Sequence, residues 1–146
     1  MNFDIYLKND WIKPHQSAPD EIRGPLAIAD RDLAQCRVPD LAPEWRFDIA
    51  YNAALSLATA VLAASGYEAQ RQNKHQRTIE CLAFSFKELP AEDVAFFDKC
   101  RQKRHVSVYD QVGAISDLEA SEMIAWAQRL KAMTHKWLKR HHPRLI

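Results

Sequence analysis

Residues 43–65 read PEWRFDIAYNAALSLATAVLAAS, a run rich in Ala and Leu that is closed by Gly66. Ala and Leu are among the best helix formers, Pro43 suits a first helical turn, and a glycine just past the last periodic residue is a common helix stop. The stretch predicts one long helix, apolar on nearly every side, and such a helix has to be surrounded by others. It therefore decides the fold, since the other elements must pack around it. Asp48, Asn52, Ser56 and Thr59 recur at steps of four, four and three and form a single polar seam. The seam has two readings: a solvent-facing strip, or a wall of a functional cleft with Asp48 as an ion-pair partner.

The most apolar part, residues 49–64, spans about 16 residues and is interrupted by Asn52, Ser56 and Thr59, short of the roughly 20 needed to cross a bilayer. It reads as a buried helix. The first residues, MNFDIYLKNDW, put Asp4 and Asp10 where a secretory signal carries basic residues and an apolar core. The expectation is a cytoplasmic protein with no membrane span. Three cysteines, Cys36, Cys81 and Cys100, are far apart and lack the close Cys or His pairs of a zinc site, which suits free thiols.

On the N-terminal side, residues 1–24 carry Pro14, Pro19 and Gly24 among mixed residues and read as an arm, pinned to the body by Trp11 and Ile12. From Pro25, Leu26, Ala29, Leu33 and Cys36 fall at helical spacing and predict a first helix. Residues 38–43 form a connector whose two prolines discourage a continuous helix. On the C-terminal side, a polar loop over 67–73 precedes a third helix marked by His75, Ile79, Leu82 and Phe86, which ends before Pro90. A fourth helix starts near Ala91, with Glu92 and Asp93 at the end where the helix dipole favours acids. After a break at Gly113, Ser116 and Glu119 form a capping box. It opens a fifth helix through Leu118, Met123, Ala127, Leu130, Met133 and Trp137 to about Arg140.

No strand-like alternation of useful length and no repeat is visible. The predicted class is all-α, an up-and-down bundle of about five helices. The predicted divisions are an arm over 1–24, a single domain over 25–142 and a tail over 143–146. With 146 residues and 47% hydrophobic content, the chain suffices for one domain and not for two. A net charge of +1 gives no global field that would announce nucleic-acid binding, so any such contact has to be local.

The local anomaly is in the fourth helix, at residues 96–110, FFDKCRQKRHVSVYD. At about 3.6 residues per turn, Val94, Phe97, Arg101, Arg104 and Val108 lie on one stripe, so two arginines interrupt a core-forming face. An isolated buried charge costs several kcal/mol, and these guanidiniums should be paired, or face a cleft or a partner chain. Arg101 and Arg104, with Asp48 and Asn52 of the seam, are the candidate ligand-binding residues. His75 reads as a helix-start residue. His135, His141 and His142 read as a solvated tail, and no metal ligand set or cofactor is expected. The basic residues over 136–144 are a weak signal for local phosphate contacts.

The order WRFDIAYNAALSLATAVLAASGY, a His ahead of TIECL, and FDKCRQKRHVSVYD resembles the HEPN superfamily of prokaryotic helical domains over residues 26–138. The resemblance implies a homodimer in which the fourth helices of two subunits meet in a shared cleft. Catalytic HEPN ribonucleases carry an Arg followed by a polar residue, with a His five positions after the Arg. Carried over, Arg104 matches the arginine, His105 stands at the polar position and Tyr109 stands where the His would be. Arg104, His105 and Tyr109 are thus the candidate catalytic residues of a metal-independent endoribonuclease. Cleavage there needs a base for the ribose 2′ proton, an acid for the leaving oxygen and a cation for the phosphorane. Tyr109 departs from the pattern, because a phenol ordinarily titrates near pH 10 and an imidazole near 6.5. Some HEPN toxins are modified by a nucleotidyltransferase antitoxin on a tyrosine two positions after the motif His, where this chain has Gln111.

The resulting expectation is a dimer that binds RNA or another anionic ligand at the fourth helix, as a toxin-like ribonuclease of a toxin–antitoxin or defence system. The alternative is a non-catalytic interaction module that binds a protein partner. For Arg101, Arg104 and Tyr109 themselves the other reading is a structural ion-pair network at a dimer interface, with Asp48, Asp98 and Asp110 as its carboxylates.

Overall fold

The computed structural model describes the backbone of residues 1–109 and 113–146, and the side chains of residues 1–105 and 113–146. In order, the elements are α1 (Phe3–Lys8), β1 (Ile12–Pro14), α2 (Asp20–Gln35), α3 (Pro43–Ala64), β2 (Tyr67–Ala69), α4 (Lys74–Ser85), α5 (Ala91–Tyr109) and α6 (Asp117–His141), followed by a short 3-10 turn (Pro143–Leu145). The protein is an all-α bundle with a small two-stranded ribbon at its edge.

α3 is the central helix. It packs most extensively against α2 and α6 and also contacts α4 and α5. Phe47, Tyr51, Leu57 and Val61 of α3 are buried with Ile22 and Leu33 of α2, Phe97 of α5, and Met123, Trp126, Leu130 and Leu138 of α6. By length and composition α3 could also cross a bilayer, but 61% of its most apolar window is buried inside the bundle, as in a core helix. Its polar seam divides. The Asn52 side-chain amide donates to Asp32 of α2 at 2.7 Å, and the exposed Thr59 hydroxyl donates back to the Leu55 carbonyl. Asp32 also accepts from Arg31, so this buried carboxylate is doubly satisfied.

Several expectations are corrected. The first long helix starts at Asp20 and not at Pro25, which lies inside it. A proline normally clashes with the Cβ of the residue before it, and here that residue is Gly24, which has none. The arm contains a helix of its own, capped by the Asn2 side chain accepting from the Ile5 N–H at 3.0 Å, which gives six α-helices among the described residues. The ribbon replaces part of the predicted polar loop, pairing Ile12 with Ala69, Lys13 with Glu68 and Pro14 with Tyr67 in antiparallel register. Gly66, at φ +98°, ends α3 and turns the chain into β2.

The arm is held by a second apolar cluster. Tyr6, Ile12, Leu62 and Cys81 are buried there, and Phe3 stacks on Tyr67 with ring centroids 4.4 Å apart. The Tyr6 hydroxyl donates to Glu80 at 2.8 Å, and the Arg77 guanidinium lies 3.6 Å over the Trp11 ring. At the other terminus, Leu145 packs against the main core and His142 lies 4.8 Å from the Trp137 ring, so the tail folds back onto α6 and is not a solvated extension. All three cysteines are buried free thiols. α6 opens with the predicted capping box, Ser116 accepting from the Glu119 N–H while the Glu119 carboxylate accepts from the Ser116 N–H.

Candidate functional site

α5 is set against α3 by Phe97, which is fully buried and meets Tyr51 edge-to-face at 5.9 Å and Trp126 at 5.8 Å. One turn beyond Phe97, helical spacing carries the same stripe to Arg101 and then Arg104, as the outer half of α5 passes beyond the thickest part of the core. There the stripe borders a cavity of about 440 Å³. Its lining comes from three separate segments: Tyr51 of α3; Arg71, Asn73, Lys74, His75 and Gln76 ahead of and within the first turn of α4; and Arg101, Arg104 and His105 of α5. Tyr51 forms the buried floor, Arg101, Arg104 and Gln76 are half-buried walls, and the remainder form an exposed rim.

The electrostatics are one-sided. Arg71, Lys74, Arg101 and Arg104 carry permanent positive charge, His75 and His105 add imidazoles, and no carboxylate is among the described lining residues. Asp98 lies one turn back on α5 and accepts from Arg101 Nε at 2.7 Å and from the Gln102 amide at 3.1 Å. The Arg104 guanidinium lies 5.3 Å over the Tyr51 ring, within the range of a cation–π contact. α4 also points its N-terminus here. Asn73, in the left-handed region at φ 55°, caps the helix without a side-chain hydrogen bond. The first intrahelical bond of this turn runs from the Arg77 N–H to the Asn73 carbonyl. The first turn of α4, the positive end of its dipole, therefore borders the cavity through Asn73, Lys74, His75 and Gln76, an arrangement suited to an anion.

Two titrating groups respond to this environment. Partial desolvation, then the guanidinium of Arg104, the Lys74 ammonium and the guanidinium of Arg101, hold His75 below the ordinary imidazole range. Burial pushes the Tyr51 phenol up to about 12, with the charges of Arg104 and Arg101 acting in the opposite direction. The Tyr51 hydroxyl thus keeps its proton at neutral pH. It is also a buried polar atom that finds no hydrogen-bond partner among the described residues. Such a group costs free energy until something accepts its proton.

Of the sequence candidates, Arg101, Arg104 and His105 come together in one cavity. Asp48 is half-buried on α3 and is not among the lining residues, and Asn52 faces α2 and serves Asp32. The cleft-wall reading of the seam therefore fails for Asn52, because α2 covers that side of α3. Tyr109 ends α5, and its side chain lies outside the described residues, as do Asp110 and Gln111. His75 does start a helix, at the second position of α4, and lines the cavity as well. Tyr51, Arg71, Lys74 and Gln76 were not anticipated. Tyr51 stands on the same face of α3 as Phe47 and reads as core. A single basic residue in a polar loop carries no periodic signal.

Comparison with protein-family models, with curated proteins and with solved structures gives no match, so the reading of the site rests on its own chemistry.

Proposed function

We propose that this protein is a helical phosphate-recognition domain that binds RNA, or another phosphorylated ligand, in the cavity between α3, α4 and α5. The observation that carries the reading is a lining of four permanent cations and two imidazoles over a buried hydroxyl with no acceptor among the described residues. Arginine forks suit phosphate oxygens bidentately, and Arg101 is held in position by Asp98. The resemblance to HEPN domains supports a homodimer joined through the fourth long helix. It also supports a toxin-like ribonuclease role, with Arg104 on the phosphorane and His105 in proton transfer, and a nucleotidyltransferase-type antitoxin as partner.

The test is to titrate labelled single-stranded and structured RNA with the purified chain in EDTA, following anisotropy and strand integrity. Binding that falls at least tenfold in Arg101→Ala and Arg104→Ala supports the proposal. RNA and inorganic phosphate binding that is absent, or indifferent to both substitutions, refutes it.

A second reading, an interaction module, is favoured by two exposed side chains, Trp45 at 63% and Leu118 at 68%. Arg46, next to Trp45, bridges to Asp117, next to Leu118, at 2.5 Å, so the two apolar side chains flank one contact between α3 and α6. A second copy of the chain is the partner this reading assigns. Light scattering at micromolar concentration that shows a dimer weakened by Trp45→Ala supports it, and a monomer counts against it.

A further inference from the structure

Resting on the anion reading of the same cavity and not on its ribonuclease version, which needs an internal phosphodiester, we infer that the ligand it accepts is a phosphomonoester terminus, a dianionic phosphate at the end of an RNA strand or on a free nucleotide.

Three observations carry this. The first is charge. Among the described residues, Arg71, Lys74, Arg101 and Arg104 line the cavity with four positive charges, and Asp98, bonded to Arg101, is the carboxylate set against them. An internal diester brings a single negative charge, whereas a monoester carries about −1.5 to −2 at neutral pH. The dianion matches the surplus better, and the gain scales with the product of the charges.

The second is shape. The only fully buried member of the described lining is Tyr51, 1% exposed, with the half-buried Arg104 guanidinium 5.3 Å over its ring. A phosphate that approaches this buried end has to pass between the arginine walls head-on. A diester is substituted on two oxygens, so a nucleoside stands on each side of its free oxygens and would have to follow them past the arginine walls. A monoester is substituted on one oxygen and leads with three free ones. The cavity volume of about 440 Å³ is within the range of small-molecule sites, sufficient for a phosphate and part of the attached nucleoside.

The third is the donor inventory. The Tyr51 hydroxyl, the first-turn N–H groups of α4, the Gln76 amide and the two guanidiniums offer more donors than two diester oxygens can use. Three terminal oxygens use more of them.

The site also links ligand binding to a proton. His75 is faced by Lys74 of its own helix, by Arg71 ahead of it, by Arg101, Arg104 and His105 of α5, and by the Tyr51 floor. Partial desolvation, and then the neighbouring cations, hold His75 below the ordinary imidazole range. A dianion placed among them offsets most of that positive field, so binding draws a proton onto His75.

The experiment compares four probes with the full chain by calorimetry near pH 7: a short single-stranded RNA with a 5′-phosphate, the same strand with 5′-hydroxyl ends, the strand with a 3′-phosphate, and a nucleoside monophosphate. Each titration is repeated in two buffers of different protonation heat. The expected result is at least tenfold tighter binding of a phosphate-terminated probe than of the hydroxyl-ended strand, with proton uptake that disappears in His75→Gln. Tight binding of one phosphorylated end or of the mononucleotide alone identifies the source of the terminus and supports the inference. Equal binding of hydroxyl-ended and phosphorylated strands, still sensitive to Arg101→Ala, overturns the inference and leaves the anion reading standing. No binding of any probe overturns both. Heat signals that are independent of buffer in the wild-type chain overturn the proton linkage.

Discussion

Replacing Tyr51 by Phe should move stability and ligand affinity in opposite directions. In most proteins Tyr→Phe removes a hydrogen-bonded hydroxyl and costs stability. Here the hydroxyl is buried and finds no acceptor among the described residues, so the folded protein bears a desolvation penalty of about 1–3 kcal/mol that the phenylalanine variant escapes. The ring itself is conserved, and with it the edge contact to Phe97 at 5.9 Å and the aromatic face under Arg104. Taking the low end, a gain of about 1 kcal/mol raises Tm by about 2–4 °C for a chain of this size. Binding loses a neutral donor to a charged acceptor, worth about 1.5–3 kcal/mol, or about 10- to 100-fold in Kd. Differential scanning calorimetry of the ligand-free variants and anisotropy titration with phosphorylated RNA provide the two readings. A lowered Tm would show that the hydroxyl is satisfied in the free protein. An unchanged Kd would show that it does not meet the ligand, and either result refutes the reasoning.

The other expectations are narrower. Asp98→Asn releases Arg101 from its carboxylate and should tighten RNA binding a few-fold at a stability cost of about 0.5 kcal/mol or less, checked by paired binding and melting curves. Four cations engaged on a single strand give a slope of about −2.8 for log K against log salt, and Arg101→Ala should reduce it to about −2.1; titrations at several salt concentrations measure both. Ser116→Ala removes the capping box of α6 and should cost about 1 kcal/mol, read as a lower Tm. Burial and neighbouring positive charge hold both His75 and His142 below the ordinary imidazole value near 6.5, so the unfolded chain binds more protons than the folded one in the window just beneath it. Stability should therefore rise with pH through that window and level off above it. The double variant His75→Gln, His142→Gln should flatten the acid side in a series of melts.

The parts of this fold legible in the sequence are those that repeat. α3 announces itself by an unbroken apolar run with a glycine stop, and α6 by a capping box ahead of a periodic stripe, because each signal is local and carried by many residues. The ribbon was invisible for the opposite reason: three-residue strands are too short to show a period of two, and Pro14 argues against a strand unless it lies at an edge. The start of α2 was misplaced because proline at 25 is ordinarily a boundary signal, and only the glycine before it removes the clash that makes it one. At the site, Arg101 and Arg104 were visible as charges in an apolar stripe, an inconsistency within one helix. Their partners in the cavity were not, since Tyr51, the segment 71–76 and the outer half of α5 are brought together only by packing. Tyr51 shows the limit most clearly: on α3 it sits at a core position, and nothing local distinguishes a tyrosine whose hydroxyl is satisfied from one that awaits a ligand.

The same packing explains how the chain tolerates so much positive charge in one place. Phe97 and Tyr51 lock α5 to α3 over the inner half of the helix, and their burial is worth several kcal/mol at about 25 cal/mol per Å². That contact fixes the direction of the outer half, and with it the guanidiniums, whatever their mutual repulsion. Asp98 offsets part of the charge of Arg101 and the Tyr51 ring part of that of Arg104, while Lys74 and Arg71 on the rim remain near water, where cations are cheap to keep. The charges that line the cavity are thus positioned by apolar packing elsewhere, and their mutual electrostatics are unfavourable. On the proposed anion-binding reading, a ligand that relieves this strain would bind with the repulsion as part of its driving force, and by linkage would stabilise the fold by about 2.7 kcal/mol at a hundred times its Kd.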